Sequence, residues 1–206
     1  MRIGIIGAGN IGGTLTRRLT ELGHDVTVAN SRGPASLMLL TRETGARAGS
    51  VEEVVRSADL VVLAVPLKAV SELPADTFSG HVLIDACNFY PGRDGAIPEL
   101  EKPHSASSEW VAHHFRDVHV VKAFNTIEFT HLSAHATPHG SVARRALPVA
   151  GDNQAAKQQV MALIDELGFD AVDAGSLAES WRQQPGNPVY NRDLDAAQVR
   201  DALFRA

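Results

Sequence analysis

The sequence predicts an α/β fold, a doubly wound and mainly parallel sheet with helices on both faces and a short C-terminal extension. Three observations carry this. The chain opens on an apolar run, Arg2-Ile3-Gly4-Ile5-Ile6, then a turn, Gly7-Ala8-Gly9-Asn10-Ile11-Gly12, then a helical pattern in Ile11, Leu15, Leu19 and Leu22. Short apolar runs alternate with helical segments further on, which implies a parallel sheet built with right-handed crossovers. Asp59-Leu60-Val61-Val62-Leu63-Ala64-Val65 is apolar without alternation, as a strand covered on both faces has to be. Strand, Gly-x-Gly-x-x-Gly and helix in this order form the dinucleotide-binding fingerprint of Rossmann-type folds. Gly7 permits the tight turn, Gly9 a close approach of backbone to a pyrophosphate, and Gly12 close packing of helix on strand. The helix N-terminus adds free amides and the positive end of its dipole.

The remaining elements follow in order. Gly23 ends the first helix, and Asp25–Ala29 is the second strand, closed by the turn Asn30-Ser31-Arg32-Gly33-Pro34. Leu37–Thr44 reads as a helix stopped by Gly45, and Ala46-Arg47-Ala48 as a short third strand. Ser50 and Glu53 make a capping box that opens a helix over Val51–Ser57. Pro66 stops the strand at Asp59–Val65, Leu67–Leu73 forms a short helix, and Val82–Asp85 is the fifth strand. Asn88–Ser108, rich in Pro, Gly and Ser, reads as a long loop of the kind that carries function. Glu109–Phe115 is a helix, Val118–Lys122 the sixth strand, and Leu147–Ala150 a strand whose Pro148 suits an edge or a strand start. Ala155–Leu167 is amphipathic and ends at Gly168, Phe169–Asp173 is the last strand, and Asp195–Arg205 closes the chain as a helix. The division is a nucleotide-binding unit at 1–176 and a strap plus helix at 177–206, within one compact body.

Ligands of such sheets lie beyond the carboxyl ends of the strands. NAD is selected there by a carboxylate at the end of the second strand, which holds the ribose 2′-hydroxyl. Asn30-Ser31-Arg32 stands in that place. A hydroxyl and a guanidinium bind a 2′-phosphate that a carboxylate would repel, so the sequence predicts NADP(H).

Six segments occur in a fixed order: Gly9-Asn10-Ile11-Gly12, Asn30-Ser31-Arg32, Ala64-Val65-Pro66, Lys122-Ala123-Phe124-Asn125-Thr126-Ile127, Gly151-Asp152 and Asp173-Ala174-Gly175-Ser176-Leu177. As a set, over residues 1–190, they resemble the NADP oxidoreductases that depend on coenzyme F420, a deazaflavin, and the related oxidoreductase domain of the STEAP metalloreductases. The resemblance implies hydride transfer between NADP(H) and a flavin-like acceptor, F420 or a flavin such as FMN or FAD, stacked on the nicotinamide. Carried over by position, it implies that Ala8, Gly9, Asn10 and Ile11 meet the pyrophosphate, within the cofactor-binding turn that Gly7 and Gly12 shape. Ser31 and Arg32, next to the cofactor-binding Asn30, would meet the 2′-phosphate, Val65 and Pro66 the riboses, and Ala123 the nicotinamide. Two departures stand out. Asn125 replaces a histidine of the deazaflavin-using members, and Gly33-Pro34 replaces a second basic residue, with Arg42 and Arg47 the nearby substitutes.

Transfer between stacked rings needs positioning more than acid–base side chains. A reductase of a small imine or carbonyl compound would need a proton donor as well. Asn125, Lys122 and Asn88 are the catalytic candidates, with His119 and Tyr90 as further polar groups near strand ends. A sensor that binds NADP(H) without turnover is the non-enzymatic alternative. His131 and His135 have the i,i+4 spacing of a metal pair, but without an intervening zincin glutamate they read as solvent-exposed, and no metal is expected.

Composition fits this reading. The chain has 206 residues, 44% hydrophobic and 21% charged, an ordinary balance for one full-sized core. A net charge of −5 without a basic stripe excludes a nucleic-acid backbone as partner. Cys87, the single cysteine, excludes an internal disulfide and reads as a small buried hydrophobe. The chain shows neither a secretion signal nor a membrane-spanning run, so a cytoplasmic protein is expected, with a homodimer as its expected assembly.

Overall fold

The structure is a computed structural model that describes residues 1–206. The eight strands are β1 (Arg2–Ile6), β2 (Asp25–Ala29), β3 (Arg47–Ala48), β4 (Leu60–Leu63), β5 (Val82–Asp85), β6 (His119–Lys122), β7 (Ala146–Gly151) and β8 (Asp170–Asp173). They form one sheet in the order β3-β2-β1-β4-β5-β6-β7-β8. The first six run parallel, β7 joins β6 antiparallel, and β8 pairs with β7 in parallel. The helices are α1 (Asn10–Glu21), α2 (Met38–Thr44), α3 (Val51–Ser57), α4 (Pro91–Asp94), α5 (Ser107–His114), α6 (Phe129–Ala134), α7 (Gln154–Glu166) and α8 (Ala196–Phe204). No helix is long and apolar enough to cross a membrane.

Alternation along the strands splits the core into two layers. Ile3, Ile5, Val28, Leu60, Val62 and Ile84 meet Leu15 and Leu19 of α1 and Val160, Leu163 and Ile164 of α7. Ile6, Val61, Leu63 and Leu83 point the other way, onto Val54 and Val55 of α3 and Val111 of α5. At the far edge α8 lays Val199, Ala202 and Leu203 over Ala146, Ala150 and Val172. The C-terminal segment thus closes a sheet face that would otherwise be bare.

Several elements differ from the expectation, each for a local reason. β4 stops at Leu63, because Ala64–Pro66 turn away into a 3-10 turn at Leu67–Glu72. A 3-10 turn at Pro34–Leu37 precedes α2, with Pro34 in its first turn. The stretch 88–108 is not one loop: it holds α4, a 3-10 turn at Pro98–Leu100 and the start of α5. Pro91 opens α4, and the buried Asp94 carboxylate accepts from the Tyr90 amide at 2.9 Å. Helix α6 is short and its periodicity is too brief to announce it. β7 is interior rather than an edge. Its Ala146 amide bonds the Leu194 carbonyl, and its pairing with β6 is confined to Ala150 and Gly151. Pro148, which lacks an N–H, falls between the two and costs the ladder nothing.

Candidate functional site

The glycine turn sits where β1 meets α1, at the carboxyl edge of the sheet. Gly7 has φ +104°, and a Cβ there would lie 2.3 Å from the Ala64 carbonyl oxygen. A Cβ on Gly12 would lie 1.8 Å from the Gly7 carbonyl oxygen. Both positions therefore belong to the fold. Gly9 differs: a Cβ there would meet nothing within 4 Å. It opens α1 as N-cap without any side-chain cap, which leaves the first-turn amides facing open space. That space is an anion cradle by charge and by shape.

Three clefts radiate from this turn. The first, about 450 Å³, runs from Gly7–Gly9 past Asn30, Ser31 and Arg32 to Val65, Pro66 and Ala69. The Asn30 carboxamide shapes its rim, accepting from the Arg32 amide at 3.0 Å and donating to Ser36 Oγ at 2.9 Å. Ser31 and Arg32 project exposed beyond it. Arg47 is not nearby; it pairs with Asp25 at 2.8 Å, at the opposite end of β2. Arg42 lies exposed on α2. Arg17, held by Glu43 at 2.7 Å, instead joins Arg32 in lining a second cleft of about 380 Å³ over α1. Sequence reasoning missed Arg17, although it follows Gly13 by one helical turn.

The third cleft, about 460 Å³, lies on the other side of Val65 and Pro66. Gly9, Asn10 and Ile11 form its floor, and Asn88, Tyr90, Arg93, Phe124, Asn125, Phe129 and Tyr190 its far wall. Asn88 and Asn125 are tied to each other: Asn88 Nδ2 donates to the Asn125 carbonyl at 2.9 Å and Asn125 Nδ2 donates to Asn88 Oδ1 at 3.1 Å. Asn125 Nδ2 also donates to the Gln183 carbonyl at 2.7 Å, which brings the C-terminal segment under the cleft. Phe124 holds φ +61°, the sharp turn that swings Asn125 into the wall. Tyr90 and Tyr190 meet hydroxyl to hydroxyl, and the Arg93 guanidinium lies 4.9 Å from the centre of the Tyr90 ring.

Other sequence candidates sit behind or outside these walls. Lys122 is fully buried, and its Nζ donates to Asp85 Oδ2 at 3.0 Å and to the Cys87 carbonyl at 2.5 Å. Asp85 also accepts from Ser108 Oγ at 2.6 Å and from the Cys87 amide at 2.9 Å. This is an internal brace joining β5, β6 and α5, and Lys122 faces it rather than the cleft. Ala123 is fully buried too, so the cleft meets its neighbours Phe124 and Asn125 instead. His119 opens β6 at the end of the sheet away from the clefts. Cys87 borders the third cleft but is almost fully buried, and burial followed by the Asp85 carboxylate pushes its thiol well up, away from thiolate chemistry.

His131 and His135 are not the free surface residues expected. They are half-buried, their rings stack at 4.2 Å, and with Asp193 they bring potential ligand atoms within 4.8 Å of one another. Arg145 already bonds this group, donating to His131 Nδ1 at 2.8 Å and to the Asp193 carboxylate. The guanidinium supplies the cation that the arrangement calls for, and the cluster fastens the C-terminal strap to α6.

Comparison with known proteins agrees with this geometry. Residues 2–89 match the family model described as NADP oxidoreductase, coenzyme F420-dependent. The rat (Rattus norvegicus) metalloreductase STEAP3 is 30% identical over 181 residues, 87% of this chain and 35% of the relative. The Escherichia coli protein YjhV is 55% identical over 66 residues, 32% of this chain and 48% of the relative. The chain thus spans less than half of either protein. Among solved structures, a hypothetical protein from Sinorhizobium meliloti superposes with TM-score 0.79 at 34% identity, covering 95% of both chains. A candidate F420-dependent NADP reductase from Arthrobacter superposes with TM-score 0.74 at 26% identity, covering 88% of this chain and 87% of the other. With its eight-stranded Rossmann-like sheet and its glycine turn, the chain is thus similar over residues 2–89 to the coenzyme F420-dependent NADP oxidoreductases, and over most of its length to part of the STEAP metalloreductases.

Proposed function

We propose that the protein is an NADPH-dependent oxidoreductase that passes hydride to a flavin-like acceptor, coenzyme F420 or a flavin. The observation that carries this is the continuity of the clefts. Ser31–Arg32 and the aromatic wall of Tyr90, Phe124, Phe129 and Tyr190 lie on opposite sides of Val65-Pro66, with the open Gly9 turn between them. NADP(H) fits this arrangement, since among the three motif glycines Gly9 alone has open space where a Cβ would stand, and it lies beside the uncapped amides of α1. In this reading those amides take the pyrophosphate, Ser31 and Arg32 the 2′-phosphate, and Val65 and Pro66 separate the two halves of the dinucleotide. Bound NADPH supplies the hydride. Asn88 and Asn125, locked to each other, fix the wall against which a planar acceptor stacks, and ordering of this kind is the main demand of ring-to-ring transfer.

Two measurements test the reading. Arg32→Ala weakens NADPH binding by about tenfold or more, the loss of one charge-assisted pair, and leaves NADH binding unchanged. Equal loss for both nucleotides would remove the 2′-phosphate assignment. Nicotinamide absorbance is then followed with oxidised F420, FMN, FAD and a panel of imines and ketones. Turnover with F420 or a flavin is expected; turnover confined to imines or ketones transfers the protein to that class of reductase, and tight binding without turnover makes it a sensor.

A further inference from the structure

The acceptor half of the cleft contains a pair of phenols that positioning alone does not explain. Tyr190 comes from the C-terminal strap and Tyr90 from the start of α4, a sequence separation of 100 residues, yet their hydroxyls are hydrogen-bonded inside the cleft wall. Tyr190 is half-buried and Tyr90 stands exposed at the rim. Asn88 Nδ2 reaches the Tyr190 hydroxyl at 3.4 Å, which fixes the phenol from the wall side. The Asn191 amide, next in the chain, bonds the Thr126 carbonyl at 3.1 Å and pins the strap there.

We propose that Tyr190 is the proton donor of the reaction, recharged from solvent through Tyr90. The inference rests on the hydride-transfer reading above and adds the second half of that reaction. An acceptor that takes a hydride takes an electron pair with it, and its conjugated ring reaches the neutral reduced form when a heteroatom also takes a proton. The Tyr190 O–H bond breaks to supply that proton as the new bond to the acceptor heteroatom forms. The Tyr90 hydroxyl passes its own proton to the Tyr190 oxygen, and water at the cleft mouth reprotonates Tyr90. Nothing is oxidised except NADPH, and nothing is reduced except the acceptor. Burial, and then the Tyr90 hydroxyl, push the Tyr190 phenol above its usual range, so it is protonated at neutral pH. The charged groups around the pair are Arg93, its partner Asp94, and Glu128 at the cleft rim.

The chain has only two tyrosines, so tyrosinate absorbance reads this pair without interference. In the protein without ligand we expect the Tyr190 signal to appear above the ordinary phenol range, and in Tyr90→Phe to move downward. A Tyr190 signal in the ordinary phenol range, unmoved by Tyr90→Phe, would overturn the pairing. In single-turnover mixing with NADPH and acceptor, Tyr190→Phe slows the reaction about 100-fold with the NADPH Kd within about twofold, and Tyr90→Phe slows it about tenfold. A wild-type rate in Tyr190→Phe, with hydride transfer intact in the parent protein, would sink the proton-donor role alone. Absence of transfer from the parent to every acceptor would sink the functional reading and this one with it. Should Tyr190→Phe lower Tm, Tyr90→Phe, whose phenol is at the surface, carries the same test.

Discussion

Gly9 and Gly12 share one turn and face different partners, and substitution separates the two roles. A Cβ at Gly12 runs into the Gly7 carbonyl at 1.8 Å from its oxygen, and that neighbour is backbone, with no flexible end to yield. Gly12→Ala is expected to cost about 3 kcal/mol of stability, the upper range for overpacking, read as a lowered midpoint in urea. A Cβ at Gly9 meets no protein atom within 4 Å, and Gly9 has the ordinary extended backbone of an N-cap. Gly9→Ala should therefore change stability by no more than about 1 kcal/mol while weakening NADPH binding about tenfold or more. If Gly9→Ala bound NADPH normally, the cradle at α1 would not be the phosphate site. The motif already divides these roles by position, and the neighbours of each Cβ supply the physical cause of the division.

The elements were legible wherever a local rule governs them. β1, β2 and α3 fall at the residues that alternation, apolar runs and the Ser50–Glu53 capping box indicate. Legibility failed where partners distant in sequence decide the outcome. Pro148 signals an edge to any local reading, and the Leu194 carbonyl and the short β6 pairing that make it harmless are invisible to that reading. Lys122 likewise read as a catalytic candidate beside the site, since nothing near it in sequence announces Asp85. Both side chains are fully buried, so their energetics can be predicted. Lys122→Met strands the Asp85 carboxylate and should cost about 3–5 kcal/mol, the usual penalty for breaking a buried pair from one side. Adding Asp85→Asn should restore a large part of that loss, because the uncompensated charge goes with it. Urea unfolding of the two singles and the double gives the coupling directly. Additive losses would mean that the pair is not the unit that braces β5, β6 and α5.

At the scale of the whole molecule, the issue is whether residues 177–206 are an appendage or part of the unit. Leu177 joins the core layer under α3 and α5, and α8 covers Ala146, Ala150 and Val172. Gln183 Nε2 bonds the Lys122 carbonyl at 3.3 Å, and the Gln183 carbonyl accepts from Asn125. Tyr190 forms part of the cleft wall, and Arg145 with His131 clasps Asp193. A strap that carries core, brace and cleft residues together cannot leave without taking all three. A chain ended after Gly175 is therefore expected to lose cooperative unfolding rather than only a peripheral helix. The full chain should melt in one transition, stabilised by about 2.7 kcal/mol when NADPH is present at 100 times its Kd. Calorimetry decides between the two pictures. Two transitions, only one of them moved by NADPH, would make the strap an independent module; one transition moved as a whole would mean that the nucleotide, entering at the glycine turn, also stabilises the strap that supplies Tyr190.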